Sequence, residues 1–108
     1  DSIGNGSIIQ PGDIQIMSAG TGVEHSEFNH SARESVHFLQ IWMIPEQPHL
    51  QPNYQQKTIL RKHNEWVLIG SRNEHEGAVV IHQDVQLYAA FLTPPTTLTY
   101  PLLSNRMG

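Results

Sequence analysis

Residues 12–27, GDIQIMSAGTGVEHSE, contain the pattern that decides the fold class of this chain. Ile14 and Ile16 alternate with other residues, so the two isoleucines share one face of a predicted β-strand. Gly20 and Gly22 interrupt this alternation and predict a turn at the end of the strand. A strand of this kind, followed by a sharp change of direction, is typical of an all-β domain.

The same stretch contains the candidate functional residues, His25 and Glu27. If the turn leads into a second strand, residues two apart leave the same face, and the intervening Ser26 faces away. An imidazole and a carboxylate on one face can ligate a divalent metal. Ser26 and His25 would face opposite sides and could not form a nucleophile–base pair. Most isolated His-x-Glu pairs are ordinary surface residues, so the spacing alone does not assign a metal site.

The composition disfavours several classes of function. The 108 residues include 6 Lys and Arg and 10 Asp and Glu, with a formal net charge of −4. This balance, without any basic cluster, argues against binding to nucleic acid or to an anionic membrane surface. The chain contains 7 His and no Cys, so a bound metal would have His, Asp or Glu ligands. No apolar run approaches the roughly 20 residues of a membrane-spanning helix. The lack of Cys fits a cytoplasmic protein.

The rest of the chain is also predicted to be β-structure, because its apolar runs are short and bounded by turn residues. Pro11 and Gly12 predict a turn before the strand described above. The longest apolar strand is predicted at residues 36–44, and Pro45 would end it. The pattern allows only one short helical turn, near residues 64–66. Further strands are predicted at residues 7–9, 54–60, 65–71, 78–92 and 97–103.

Several stretches of the chain resemble the pirin family of bicupins, and in particular the bacterial pirin-like quercetin 2,3-dioxygenases. The resemblance rests on residues 12–27, on LQIWMIP at 39–45, on PNYQ at 52–55 and on GAVVIHQDVQLYAAFL at 77–92. It implies an all-β fold of the cupin (RmlC-like jelly-roll) barrel type, with parts of two barrels in this chain.

The resemblance also implies a division of the chain into three parts. Residues 1–48 would form the C-terminal half of the first, N-terminal barrel. Residues 49–76 would form the connector and the first strands after it. Residues 77–108 would form the opening strands of the second barrel. On this interpretation we expect the sequence to be an internal fragment of a longer protein.

Pirin-like cupins bind one metal through three His and one Glu, and an upstream His-x-His strand supplies two of those His. This chain has no His-x-His, and its first histidine is His25. His25 and Glu27 match the remaining two positions of the family motif. The resemblance therefore implies that both are metal ligands and that the other two His ligands are absent from this chain.

The resemblance further implies a reaction. The metal would be a divalent ion, with Fe(II) expected first, although Ni, Co, Cu or Zn would accept the same ligands. The substrates would be O₂ and a flavonol-like aromatic such as quercetin, whose ring would be cleaved. Glu27 would be the catalytic base that accepts the proton of the flavonol hydroxyl. Ile14, Ile16 and Trp42 are candidates for the barrel lining or for the core beside it.

Other residues are expected to be structural. His82 and Asp84 repeat the two-residue spacing, but His82 is expected to be structural rather than a ligand. Trp66, like Trp42, is expected in the core. Arg72 replaces a proline that pirins often carry, and no chemical consequence is expected. Five further histidines lie in polar or loop contexts and are expected to be solvated: His30, His37, His49, His63 and His75.

Two alternatives are compatible with the same residues. The first is a non-catalytic regulatory protein in which the metal site senses redox state or small molecules, as in eukaryotic pirins, and fold does not decide between these functions. The second is an inactive structural fragment without a competent metal site of its own. An incomplete barrel exposes strand edges and apolar faces, so we expect association with the rest of the parent chain or with a second copy.

Overall fold

In the computed structural model, residues 6–108 are described, and these residues form five β-strands and no helix. The all-β prediction is confirmed. The strands are paired in two small sheets, one of two strands and one of three. In chain order they are β1 (Asp13–Ser18), β2 (Asn53–Thr58), β3 (Val67–Ser71), β4 (Val79–Val80) and β5 (Gln86–Ala89).

The first sheet consists of β1 and β2, which are antiparallel and pair along their whole length. The predicted turn before β1 is present: the Asp13 amide donates to the Gln10 carbonyl at 2.9 Å, and Gly12 has a φ of 93°. Ile14 pairs with Lys57 and Ile16 pairs with Gln55. Because paired residues share a face, the two isoleucines lie beside the long side chains of β2.

The second sheet has the order β4-β3-β5, with β4 parallel and β5 antiparallel to β3. The register between β3 and β5 shifts between Leu68 and Gly70, which indicates a β-bulge. A Cβ added to Gly70 would lie 2.5 Å from Cδ1 of Ile81. The glycine therefore allows the Ile81 side chain to pack directly over β3.

The core lies on the second sheet and is small. Its buried apolar residues are Ile69, Ala78, Val79 and Ile81. The radius of gyration is 15.7 Å and the extents are 43 × 42 × 21 Å, whereas a compact domain of this length is expected to have a radius of gyration of about 13 Å. The structure is therefore flat, and much apolar surface stays outside the core.

Two side chains of β2 join the sheets. The Gln55 carboxamide accepts from the Val80 amide at 3.0 Å and donates to the Val80 carbonyl at 3.2 Å. Lys57 Nζ donates to the Ala78 carbonyl at 2.7 Å. The Gln55 side chain thus occupies the edge of β4 where a neighbouring strand would otherwise pair.

The prediction of a long strand at residues 36–44 is wrong. This segment has no regular structure, and Trp42 is 85% exposed. A strand is stable only where another backbone satisfies its N–H and C=O groups, and no described segment pairs with this one. The sequence pattern shows that residues 36–44 are mostly apolar, but it does not show whether another strand is available to pair with them.

Smaller differences have similar causes. Residues 7–9 and 97–103 form no strand, and the helical turn near residues 64–66 is absent. Asn64 instead has a φ of 60°, outside the right-handed helical region. The predicted strand at 78–92 is divided into β4 and β5 by a bend between them.

Candidate metal centre

A tight turn ends β1 and precedes the candidate ligands. The Gly22 amide donates to the Ala19 carbonyl at 2.7 Å, and Gly20 has a φ of 54°. The turn predicted from the two glycines is therefore confirmed. A Cβ on Gly20 would lie 1.9 Å from the Leu50 carbonyl oxygen. The turn is thus packed against the chain that leads into β2, and this contact helps to position the residues that follow.

His25 and Glu27 lie just beyond this turn, and both are exposed. No strand forms there, so the prediction that a strand directs both side chains to one face is wrong. The physical reason is again the lack of a paired backbone, because a strand's alternation of faces depends on its ladder. The assignment of His25 and Glu27 as metal ligands stays a prediction.

The structure does not gather these two residues with further ligands. Within residues 6–108, no group of three or more His, Asp or Glu side chains lies close enough to hold a metal ion. The five histidines expected to be solvated are all exposed, as predicted. The described part of the chain therefore contributes at most one imidazole and one carboxylate to the proposed site.

The second pair with this spacing, His82 and Asp84, has structural partners. The His82 carbonyl accepts from the Glu46 amide at 2.8 Å. Asp84 forms an ion pair with Arg106 at 2.7 Å. The Arg106 hydrogen bond and charge hold the pKa of Asp84 below its ordinary value. These contacts involve the backbone of His82 and the carboxylate of Asp84, so the structural role expected of the His82 side chain stays a prediction.

The aromatic residues expected in the core lie elsewhere. Trp42 is 85% exposed and Trp66 is 42% exposed, so the expectation of a core position is wrong for both. Trp66 packs edge-on against Tyr88 and Tyr100, with centroids 6.4 and 6.1 Å apart. Its Nε1 donates to the Thr99 carbonyl at 3.2 Å, which ties the segment after β5 to the second sheet. Composition could not distinguish this surface cluster from a core.

Two polar features were not predicted from the sequence. The Tyr54 hydroxyl donates to Gln56 Oε1 at 2.7 Å and also contacts the side chains of Ser7 and Gln15, so these polar side chains form a hydrogen-bonded group on one face of the first sheet. A surface depression of about 490 Å³ lies between Lys57 and the loop that contains His75. His25 and Glu27 do not line this depression. The sequence signal for both features is limited to the polar composition of β2, NYQQKT.

In the part of the chain that the structure describes, no helix is long and apolar enough to cross a membrane.

Comparisons with known proteins identify two family matches. Residues 1–43 match the model of the Pirin family, and residues 68–108 match the model described as the quercetinase C-terminal cupin domain. The cupin domain model agrees with the strand-only structure of the described residues, which supports the cupin β-fold expected from the sequence. No solved structure matches the chain.

Similar curated proteins have consistent names. The chain is 40% identical over 88 residues to "Quercetin 2,3-dioxygenase" of Escherichia coli (strain K12), which covers 82% of this chain and 38% of that protein. It is 39% identical over 108 residues to "Putative quercetin 2,3-dioxygenase PM1685" of Pasteurella multocida (strain Pm70), covering 98% of this chain and 46% of that protein. The chain thus spans less than half the length of these relatives. Together, the two family matches and these identities show that the chain belongs to the pirin family.

Proposed function

We propose that the intact protein is a metal-dependent dioxygenase of flavonol-like substrates, with His25 and Glu27 as two of its metal ligands. The observation that carries the proposal is the match of residues 1–43, which include both side chains, to the Pirin family model. The names of the relatives supply the activity and the substrate class. The exposure of both side chains supports it further, because ligands from another segment could reach them.

The donor set fits such a metal only in part. An imidazole and a carboxylate suit Fe, Ni, Co, Cu and Zn alike, and Fe(II) is proposed first because of the resemblance to the family. The other two His ligands would come from residues outside this chain. The proposal keeps the division described above, in which residues 1–48 belong to a first cupin barrel and residues 77–108 to a second. A bound divalent ion would supply Lewis acidity towards a substrate hydroxyl and towards O₂.

The residues of this chain would contribute proton transfer and substrate binding. A carboxylate oxygen of Glu27 would accept the proton of the flavonol 3-hydroxyl, which makes the substrate more electron-rich. Both atoms of O₂ would enter the product, and the flavonol ring would supply the electrons, so no external reductant is required. Ile14 and Ile16 are half-buried and remain candidates for the apolar lining.

Exposed apolar side chains support an association with further protein. Phe28 is 86% exposed and Trp42 is 85% exposed, and most apolar residues at positions 36–44 are also exposed. Large apolar side chains that are exposed in this number are candidates for an interaction site. We propose that it contacts the rest of the parent chain or a second copy. A monodisperse monomer of the isolated chain at micromolar concentration, measured by sedimentation velocity, would contradict this.

Oxygen uptake tests the proposed activity. The intact protein is loaded with Fe(II) and mixed with quercetin, and O₂ consumption is recorded together with the metal content. We expect His25→Ala to lose most of the bound metal and Glu27→Gln to lose most of the turnover. His30→Ala is the matched control, because His30 lies in the same exposed segment and should leave both quantities unchanged. Equal metal loss from His25→Ala and His30→Ala would refute the ligand assignment.

The same experiment separates the regulatory alternative. A protein that binds one metal through His25 but consumes no O₂ with quercetin would be a non-catalytic metal-binding pirin. The enzyme proposal requires both metal binding and substrate-dependent O₂ uptake.

A further inference from the structure

The segment between β1 and β2 contacts both sheets. In the part of this segment that leads towards β2, the Glu46 amide donates to the His82 carbonyl at 2.8 Å, and Gln83 Nε2 donates to the Ile44 carbonyl at 2.9 Å. Residues 44–46, which we call the anchor, are therefore held at the bend between β4 and β5.

An ion pair reinforces the anchor. The Arg72 guanidinium contacts Glu46 Oε2 at 2.6 Å, and the two side chains are 46% and 35% exposed. Arg72 directly follows β3, so the pair connects the anchor to a second point on the same sheet. Arg72 stands where pirins often carry a proline, and a proline has no side chain that could form this contact.

The C-terminal end of the segment contacts the turn before the candidate ligands. The Leu50 carbonyl and the Pro52 nitrogen lie so close to Gly20 that an added Cβ would be 1.9 and 2.8 Å from them. Gly20 precedes His25 by five residues. A continuous chain of only a few residues therefore separates the anchor from the backbone that positions the turn.

From this arrangement we infer that Glu46 and Arg72 are positioning residues for the turn at Gly20 and Gly22, which precedes His25 and Glu27. Their ion pair fixes the anchor to the second sheet, and the segment that follows the anchor packs against Gly20, next to the last pair of the β1–β2 ladder, Ser18 and Asn53. The inference deepens the proposed function, on which its relevance to metal binding rests. The contact of the Leu50 and Pro52 backbone with Gly20 does not depend on a bound metal, so its dependence on the ion pair can be tested separately.

Hydrogen exchange of the intact protein tests the inference. We expect Arg72→Gln and Glu46→Gln each to increase amide exchange at residues 19–27 by about two- to fivefold, the range that corresponds to losing an exposed ion pair. The charge-exchanged variant Glu46→Arg/Arg72→Glu should restore slow exchange. Arg61→Gln is the matched control, because Arg61 is an exposed arginine that lies over the Phe91 ring, 4.8 Å from its centroid, and not beside the anchor.

Two results would overturn the inference. In the first, exchange rises only at residues 44–48 and 71–73, which would make the pair a local surface contact. In the second, Arg61→Gln accelerates exchange at residues 19–27 as much as Arg72→Gln, which would indicate general loosening of the structure.

Co(II) absorption gives a readout at the site itself. The Co(II) spectrum of the intact Arg72→Gln variant should shift from that of the wild type, and the charge-exchanged variant should restore it. An unchanged spectrum together with faster exchange would refute the role in ligand positioning. A wild-type protein that binds no Co(II) at His25 would refute the proposed function, and the exchange experiment would still decide whether the ion pair controls the turn.

Discussion

Substitution of Gly20 by alanine should destabilise the protein more than any other glycine substitution with a similar backbone conformation. The φ of Gly20 is 54°, in the left-handed region, where a Cβ costs about 1–2 kcal/mol. The new Cβ would also lie 1.9 Å from the Leu50 carbonyl oxygen, whereas real Cβ contacts are essentially never shorter than 3.0 Å. The Leu50 backbone would therefore have to retreat by at least about 1 Å, a strain comparable to overpacking a well-packed site.

The two costs can be separated with a second glycine. Gly77 also has a left-handed backbone, with a φ of 78°, but an added Cβ would meet nothing within 4 Å. Gly77→Ala should therefore lower the free energy of unfolding only by the cost of the left-handed backbone, about 1–2 kcal/mol. Gly20→Ala should lose this term and a further steric term of about 1–3 kcal/mol, for a total of about 2–5 kcal/mol.

Urea unfolding followed by circular dichroism measures this difference. The free energy of unfolding is extrapolated to water for the wild type and for both variants, and the slope is checked for a change in the exposed surface. Gly6→Ala is the neutral reference, because an added Cβ there also meets nothing within 4 Å and its φ is not in the left-handed region. If Gly20→Ala and Gly77→Ala lower the free energy of unfolding equally, the close contact between Gly20 and Leu50 does not exist.

The remaining predictions concern hydrogen bonds that stabilise the two sheets or connect them. Hydrogen bonds from the Gln10 amide and from the side chains of Thr58 and Gln56 lower the pKa of Asp13 below its ordinary value of 3.8. The stability that Asp13 contributes should therefore be full at neutral pH and lost as the pH falls through the lowered pKa. Asp13→Asn should abolish that part of the acid dependence of the melting temperature. Gln55→Ala should lower the free energy of unfolding by about 1–3 kcal/mol, because it leaves the amide and carbonyl at the edge of β4 unpaired; unchanged amide exchange in β4 would contradict this. Trp66→Phe keeps an aromatic ring but loses the hydrogen bond to the Thr99 carbonyl, so the melting temperature should fall. Trp42→Phe is the control and should leave the melting temperature unchanged, because Trp42 is largely exposed. Equal shifts of the melting temperature in the two variants would refute the contact of Trp66 with the segment after β5.

The sequence predicted the elements whose causes are local. The alternation in β1 and the turn at Pro11 and Gly12 need only residues that are adjacent in the chain, and both are present as expected. The turn at Gly20 and Gly22 was predicted for the same reason. Pattern and turn chemistry at this scale are physical preferences of the backbone itself.

The sequence failed where structure depends on distant residues. The segment at 36–44 has the composition of a strand, but a strand also requires a partner backbone, which composition does not report. Trp42 and Trp66 have the hydrophobicity of core residues, yet burial depends on what packs over them. The ion pair between Glu46 and Arg72 joins residues 26 positions apart, and no periodic signal connects them.

The candidate site combines both cases, which explains why it was only partly predictable. The motif that contains His25 and Glu27 is local and specific, and it matched a family model. The position of these side chains is not local, because they lie beyond the end of the β1–β2 ladder and the turn before them packs against Leu50. Contacts made by a single turn and a connector are weaker constraints than a paired strand. The geometry of His25 and Glu27 should therefore respond to substitutions in the connector more strongly than to substitutions in the buried core around Val79.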